Sequence, residues 1–177
     1  MLTTPILFTA EFLLDTIPLS WSDILWGYQH GVMGWRVPID IAHSRLDRGQ
    51  TTDVLEIELS QLGKDRDWRV SEIVEELALG ESIAKDAIEA NWLYLTVRWI
   101  YEHRQDIFDP LERIEEIYAD FDYPKSIEPF VRFLPISNIT VYDPTQHSLE
   151  DNQERLWVLC KEYLNKVKLR LEPKTSD

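Results

Sequence analysis

A single cysteine, Cys160, in a chain of 177 residues leaves no partner for an internal disulfide and no thiolate set for a zinc site. Its place on an apolar helical stripe reads as a small buried hydrophobe, and a lone thiol of this kind fits a reducing cytosol. Glycine is also scarce. None of the six glycines falls in a G-x-G-x-x-G, Walker or G-x-S-x-G arrangement, so dinucleotide, phosphate and nucleophile-elbow loops are missing. The four histidines, His30, His43, His103 and His147, are never four residues apart, so the paired-histidine metal pattern of a helix is missing too. No metal or other cofactor is expected.

Long apolar runs are absent, and none approaches the roughly 20 residues of a membrane-spanning helix. Residues 5–14 are apolar, but Glu11 interrupts them. No Lys or Arg precedes them and no small-residue cleavage site follows, so they do not read as a secretory signal. The expected location is the cytoplasm. Positive charge is the last shortage: 18 Lys and Arg face 32 Asp and Glu, a formal charge of −14. Such a field repels nucleic acid and anionic membranes. It leaves two uses for the acidity, solubility or a cationic partner.

What the chain does contain is apolar periodicity. Hydrophobic residues make up 44% of it, too many for a disordered segment. A chain this long buries roughly 70% of its unfolded surface without staples. The pattern predicts an all-α fold, a multi-helix bundle or stack of helical pairs around a central long helix, with at most a minor β-hairpin. One helical domain is expected over residues 1–177, with 1–18 as an N-terminal segment and 172–177 as a frayed tail.

Phe8, Phe12, Leu13 and Ile17 form a moderate helical stripe that Pro18 ends. Ser20, with Asp23 three residues on, predicts a capped helix over 21–30 with Ile24, Leu25 and Tyr28 inward, closed by Gly31. A second helix carries Ile39, Ile41, Ala42 and Leu46 and stops at Gly49. A third is capped by Thr51 or Thr52, with Val54, Leu55, Ile57, Leu59 and Leu62 as its apolar positions. After a charged turn at 63–67, residues 68–79 place Val70, Ile73, Val74 and Leu77 on one face.

The longest helix is expected over 82–104, apolar around most of its circumference and therefore central. Asp109, Pro110 and Glu112 predict the start of another, with Leu111, Ile114, Ile117 and Tyr118 inward. A short helix over 126–132, a strand candidate at Ile139–Val141, and a last helix capped by Ser148 and carrying Leu156, Cys160, Tyr163, Val167 and Leu171 complete the reading.

The acidity is uneven. Residues 106–128 hold eight acids against Arg113 and Lys125, a net of −6. Glu112, Glu115 and Glu116 share one helical face, and Asp120 follows four residues after Glu116. Asp122 and Tyr123 continue it into a turn where Phe121, Tyr123, Phe130 and Phe133 alternate with Asp120, Asp122 and Arg132. A like-charged face is either a solubility stripe or a docking surface for a basic protein, and aromatics among carboxylates suit either a packed turn or an interface.

Three blocks carry a resemblance: LSWSDILWG at residues 19–27, YADFDYP at 118–124 and FVRFLP at 130–135. In content and order they resemble the bacterial family known as domain of unknown function 2247, over most of residues 15–170. The last two blocks are the specific ones. The resemblance implies an immunity protein of a bacterial polymorphic-toxin system, one that binds and neutralises a partner toxin domain. A basic nuclease is the toxin that an acidic surface fits, and Glu112, Glu115, Glu116, Asp120, Asp122 and Tyr123 are the expected contacts. Two other readings stand beside this one: an enzyme using carboxylates or a histidine in a cleft, and an acidic helical adaptor.

Overall fold

The computed structural model describes residues 6–132 and 149–171. Among these the chain is all-α, with eight helices, two 3₁₀ turns and no strand. Among the described residues, no helix is long and apolar enough to cross a membrane. The chain divides into two compact units, Met1–Trp92 and Leu93–Asp177, and the division falls inside a helix.

The first unit holds α1 (Ala10–Thr16), α2 (Trp21–Gln29), α3 (Arg36–Asp47), α4 (Val54–Ser60), α5 (Trp68–Leu79) and the start of α6 (Lys85–Glu102). Helix α3 packs on α1, α4 and α5, while α5 also packs on α2 and α4. The expected face of α5 is the observed one: Val70, Ile73, Val74 and Leu77 are all buried, each worth roughly 1.5–3 kcal/mol of transfer from water.

The N-terminus of α2 is where this unit is tied together. A helix leaves its first amides without intrahelical acceptors, and here two carboxylates and a hydroxyl take them. Ser20 and Asp23 form a complete capping box: the Ser20 amide donates to Asp23 Oδ2 at 2.9 Å, and the Asp23 amide donates to Ser20 Oγ at 3.0 Å. The next two amides, of Trp21 and Ser22, donate to Glu81 Oε1 and Oε2 at 2.9 and 2.7 Å. Glu81 lies some 60 residues away, between α5 and α6, so one side chain pins the α5–α6 connection to the start of α2. Asn91 Nδ2 and Trp92 Nε1, from α6, donate to the side chain and the carbonyl of Asp23 at 3.0 and 2.9 Å.

Trp92 then fills the space beside α2. Its indole lies 5.5 Å from the Trp26 ring and 5.6 Å from that of Phe8. The close approach depends on Gly27. A β-carbon there would stand 2.6 Å from Cη2 of Trp92 and 2.7 Å from Cε of Met33.

A buried acid lies nearby. Glu56, on α4, accepts from Trp21 Nε1 at 2.7 Å and faces Arg45 Nη1 at 3.7 Å, while its Oε2 has no partner among the described residues. Arg45 stands over the Trp21 ring at 4.8 Å and donates to the Leu19 carbonyl. The guanidinium thus faces a carboxylate, a carbonyl and a π-face at once, the multiple engagement a planar cation permits.

The second unit holds the rest of α6, α7 (Pro110–Asp120), a 3₁₀ turn (Glu128–Phe130) and α8 (Leu149–Leu171). Helix α7 starts as predicted, with Asp109 Oδ1 accepting from the Glu112 amide at 3.0 Å and Pro110 in first position. Leu111, Ile114 and Ile117 are buried. The 3₁₀ turn packs on α8, where Phe130 meets Tyr163 at 5.6 Å between centroids. Cys160 is fully buried, and burial pushes its thiol up to about 12.

Several boundaries differ from the sequence reading. The cap of α4 is Asp53, which accepts from the Leu55 and Glu56 amides, while Thr51 only accepts from the Asp53 amide. Val54 is consequently solvent-facing and 77% exposed. Leu25 and Tyr28 are only half-buried, because the inward stripe of α2 runs through Trp21, Ile24 and Gly27. Helix α6 is shorter than 82–104, and the longest helix is α8, with 23 residues against 18.

At the end of α6, His103 stacks on Trp99 at 4.3 Å with Nδ1 on the Trp99 carbonyl, 2.8 Å away. Trp26 and His30 make the same pairing at the end of α2, at 3.7 and 2.7 Å. The helix expected over 126–132 is a single 3₁₀ turn. The strand candidate at 139–141, the proposed cap Ser148, and His147, Phe133 and the 172–177 tail lie outside the described residues.

Two expectations follow for urea unfolding. Glu81→Ala leaves the Trp21 and Ser22 amides without their acceptor and should cost about 1–3 kcal/mol; a loss below ~0.3 kcal/mol would show that water replaces it freely. Gly27→Ala, a change that ordinarily favours a helix interior, should instead destabilise by about 1–3 kcal/mol through overpacking against Trp92.

Candidate acidic docking site

The acidic segment of the second unit becomes, in three dimensions, the outer face of α7 and the turn that follows it. Its charges divide into two groups. Arg132, just after the 3₁₀ turn, reaches back to α7, where its Nε donates to Glu115 Oε1 at 2.7 Å and its Nη1 to Asp109 Oδ2 at 2.8 Å. Glu115 therefore serves two ends: it belongs to the acidic face and also holds the 3₁₀ segment against α7. Asp109 likewise caps α7 and grips Arg132. Glu116 receives Arg113 Nη1 at 2.6 Å. With Arg132 counted, the local charge falls from −6 to −5.

The remaining expected residues differ in exposure. Glu112, Asp122 and Tyr123 are exposed, and Asp120 is intermediate, like Glu115 and Glu116. All six expected residues thus lie on α7 or in its terminal turn, which the fold keeps as one continuous stretch.

That turn has an uncommon backbone. Asp122 and Tyr123 both adopt left-handed conformations, with φ of 57° and 58°. Asp tolerates this region because its short polar side chain hydrogen-bonds locally, while Tyr gains nothing comparable from it. Residues in such regions cost of order 1–3 kcal/mol each and persist only where their surroundings hold them. Here the Asp122 amide donates to the Ala119 carbonyl at 3.1 Å and the Tyr123 amide to the Tyr118 carbonyl at 2.8 Å. The Tyr123 ring meets that of Tyr118 edge-on at 5.2 Å, yet Tyr123 remains 61% exposed. The result is an exposed aromatic ring and an exposed carboxylate at the end of an acidic helix.

One residue of this surface escaped the sequence reading. Phe108 is fully exposed at the other end of α7, immediately before the cap. An apolar residue in that position normally packs on the fourth helical residue, as a hydrophobic staple. In α7 that residue is Arg113, so the staple has no apolar half. The pairing rule could have flagged Phe108 from sequence alone. The role of Arg132 could not be found that way, since its two carboxylate partners lie 17 and 23 residues away.

Among the described residues, no three His, Cys, Asp or Glu side chains converge to hold a metal ion. The electrostatics of the site are those of a clamp. Glu115 first, then Asp109, hold the Arg132 guanidinium well above its usual value. Burial alone would raise the Asp109 carboxyl, but the hydrogen bonds from Arg132 and the Glu112 amide outweigh it and hold the group below the ordinary carboxylate value of 3.8.

A carboxyl whose folded value is depressed stabilises the fold above its unfolded value, and that contribution is lost as pH falls through the folded value. Arg132→Met should therefore lower stability at neutral pH and flatten the acid limb of the stability profile below about pH 4, both read by urea titration at several pH values. A parallel profile with an unchanged acid limb would mean that Asp109 is not held by Arg132.

Residues 10–168 match the family described as uncharacterized protein conserved in bacteria (DUF2247). No curated protein and no solved structure matches the chain. The match takes in every helix of the fold except the last three residues of α8, together with the Ser20 capping box, the α7 face, the left-handed turn and Arg132. The chain belongs to the DUF2247 family.

Proposed function

We propose that this chain is a non-enzymatic binding protein, an immunity protein that neutralises a cognate bacterial toxin domain through the α7 face and its terminal turn. The observation that carries the reading is the left-handed pair Asp122–Tyr123, where backbone strain is maintained to present a carboxylate and an aromatic ring to solvent. Strain of this kind clusters at functional sites. An exposed Tyr beside carboxylates has the composition of an interface anchor with charged selectivity around it.

The class of partner comes from charge and from the resemblance to polymorphic-toxin immunity proteins. A nuclease holds phosphates in a basic groove. Glu112 and Asp122 present exposed carboxylates that can occupy such a groove, with the half-buried Asp120 on the same stretch and Glu115 and Glu116 held by arginines. The long-range field of an acidic chain speeds encounter with a basic domain and disfavours acidic competitors.

The test uses the toxin domain encoded by the neighbouring gene, catalytically disabled, and the full chain. Glu112→Lys with Asp122→Lys should slow association and weaken binding about 10–100-fold at low salt, with a smaller effect at high salt. Tyr123→Ala should mainly speed dissociation, costing about 2 kcal/mol if the ring is an anchor. Substitutions at Glu115 and Asp109 are avoided because they would release Arg132. Two folded partners that form no complex, or binding unchanged by these variants at every salt concentration, would sink the proposal.

A further inference from the structure

The first unit contains a cleft of about 340 Å³ between the end of α1 and the last turn of α3. Its floor is apolar, formed by Leu13, Ile17, Leu19 and Ile41, all buried. Two residues of opposite charge, Asp15 and Arg48, are also among those that line it. Both are exposed, and among the described residues neither has a hydrogen bond or ion pair through its side chain, with each other or with any third group.

Arg45, on the same wall, is already engaged by Glu56, the Leu19 carbonyl and the Trp21 ring, so it shapes the cleft without offering a free charge. The volume lies at the small end of the roughly 300–1,000 Å³ typical of ligand sites, which suits a small molecule.

A cation and an anion on one cleft, not paired with each other, above an apolar floor, match a ligand carrying the complementary pair and an apolar body. We propose that this cleft binds a free apolar α-amino acid. Its carboxylate would meet the Arg48 guanidinium, a planar fork suited to bidentate carboxylate contact. Its ammonium would meet Asp15, and its side chain would lie on Leu13, Ile17, Leu19 and Ile41. This proposal is independent of the docking face on α7, which belongs to the other unit.

Titration of the 177-residue chain with L-leucine, followed by methyl NMR, tests it. Three comparison ligands separate the contributions: 4-methylpentanoate lacks the ammonium, 3-methylbutylamine lacks the carboxylate, and L-serine lacks the apolar body. Leucine should bind saturably, shifting the Leu13, Ile17 and Ile41 methyls, and each comparison ligand should bind at least tenfold more weakly. Arg48→Gln and Asp15→Asn alter exposed side chains without described partners, so both variants should fold. Each should weaken leucine at least fivefold, Arg48→Gln erasing the advantage over the amine and Asp15→Asn the advantage over the acid. No saturable leucine binding up to about 10 mM, equal binding of leucine and either monofunctional analogue, or variants that bind like the parent would each overturn the proposal.

Discussion

The amides at the start of α2 need acceptors, and the way they are satisfied organises the first unit. Left alone, they would be an exposed set of donors at the positive end of a helix dipole. Asp23 and Ser20 close the last of the gap locally, and Glu81 closes the rest from the far side of the sequence. Once Glu81 is fixed there, the α5–α6 connection has a set position. Asn91 and Trp92 then reach the same Asp23, and the Trp92 indole has to share its space with Gly27, Trp26 and Phe8. The block LSWSDILWG is thus largely explained by folding: Ser20 and Asp23 cap, Trp21 donates to Glu56, and Gly27 makes room.

The same economy of charge appears in the second unit. Asp109 and Glu115 both belong to the acidic 106–128 segment by sequence, but each is also a ligand of Arg132, and Arg132 fixes the end of the 3₁₀ segment to α7. An acidic face of this sort is less repulsive than its composition suggests, because Arg132 arrives from outside the counted stretch. The face keeps a net negative charge and a stable geometry together. The proposed partner would meet a preorganised surface, which lowers the entropy lost on binding.

Much of this architecture was legible in the sequence. The caps Ser20 and Asp109, the face of α5, the buried Cys160 and the stop at Gly31 follow from local rules that act within a turn or two. The failures also have local reasons. Asp53 displaced Thr51 and Thr52 because three adjacent residues could all cap, and only the backbone path decides among them. Val54, which follows Asp53, fits the apolar periodicity yet faces solvent, because a first-turn residue fits the pattern whether or not anything lies opposite it. Phe108 shows the converse, an apolar residue left outside because its staple position holds Arg113.

The sequence by itself determined the helices, the all-α class, the overall negative charge and the concentration of acids around α7, since these depend on periodicity, capping and composition within short windows. Only the tertiary structure decided which acids are structural and which face solvent. It set Glu81 on the first turn of α2, Glu56 beside Trp21 and Arg45, and Asp109 with Glu115 around Arg132. It also left Glu112, Asp122 and Tyr123 outward. The physical reason is that a carboxylate carries the same charge in any sequence context, while its role depends on which donor the fold brings within about 3 Å of it.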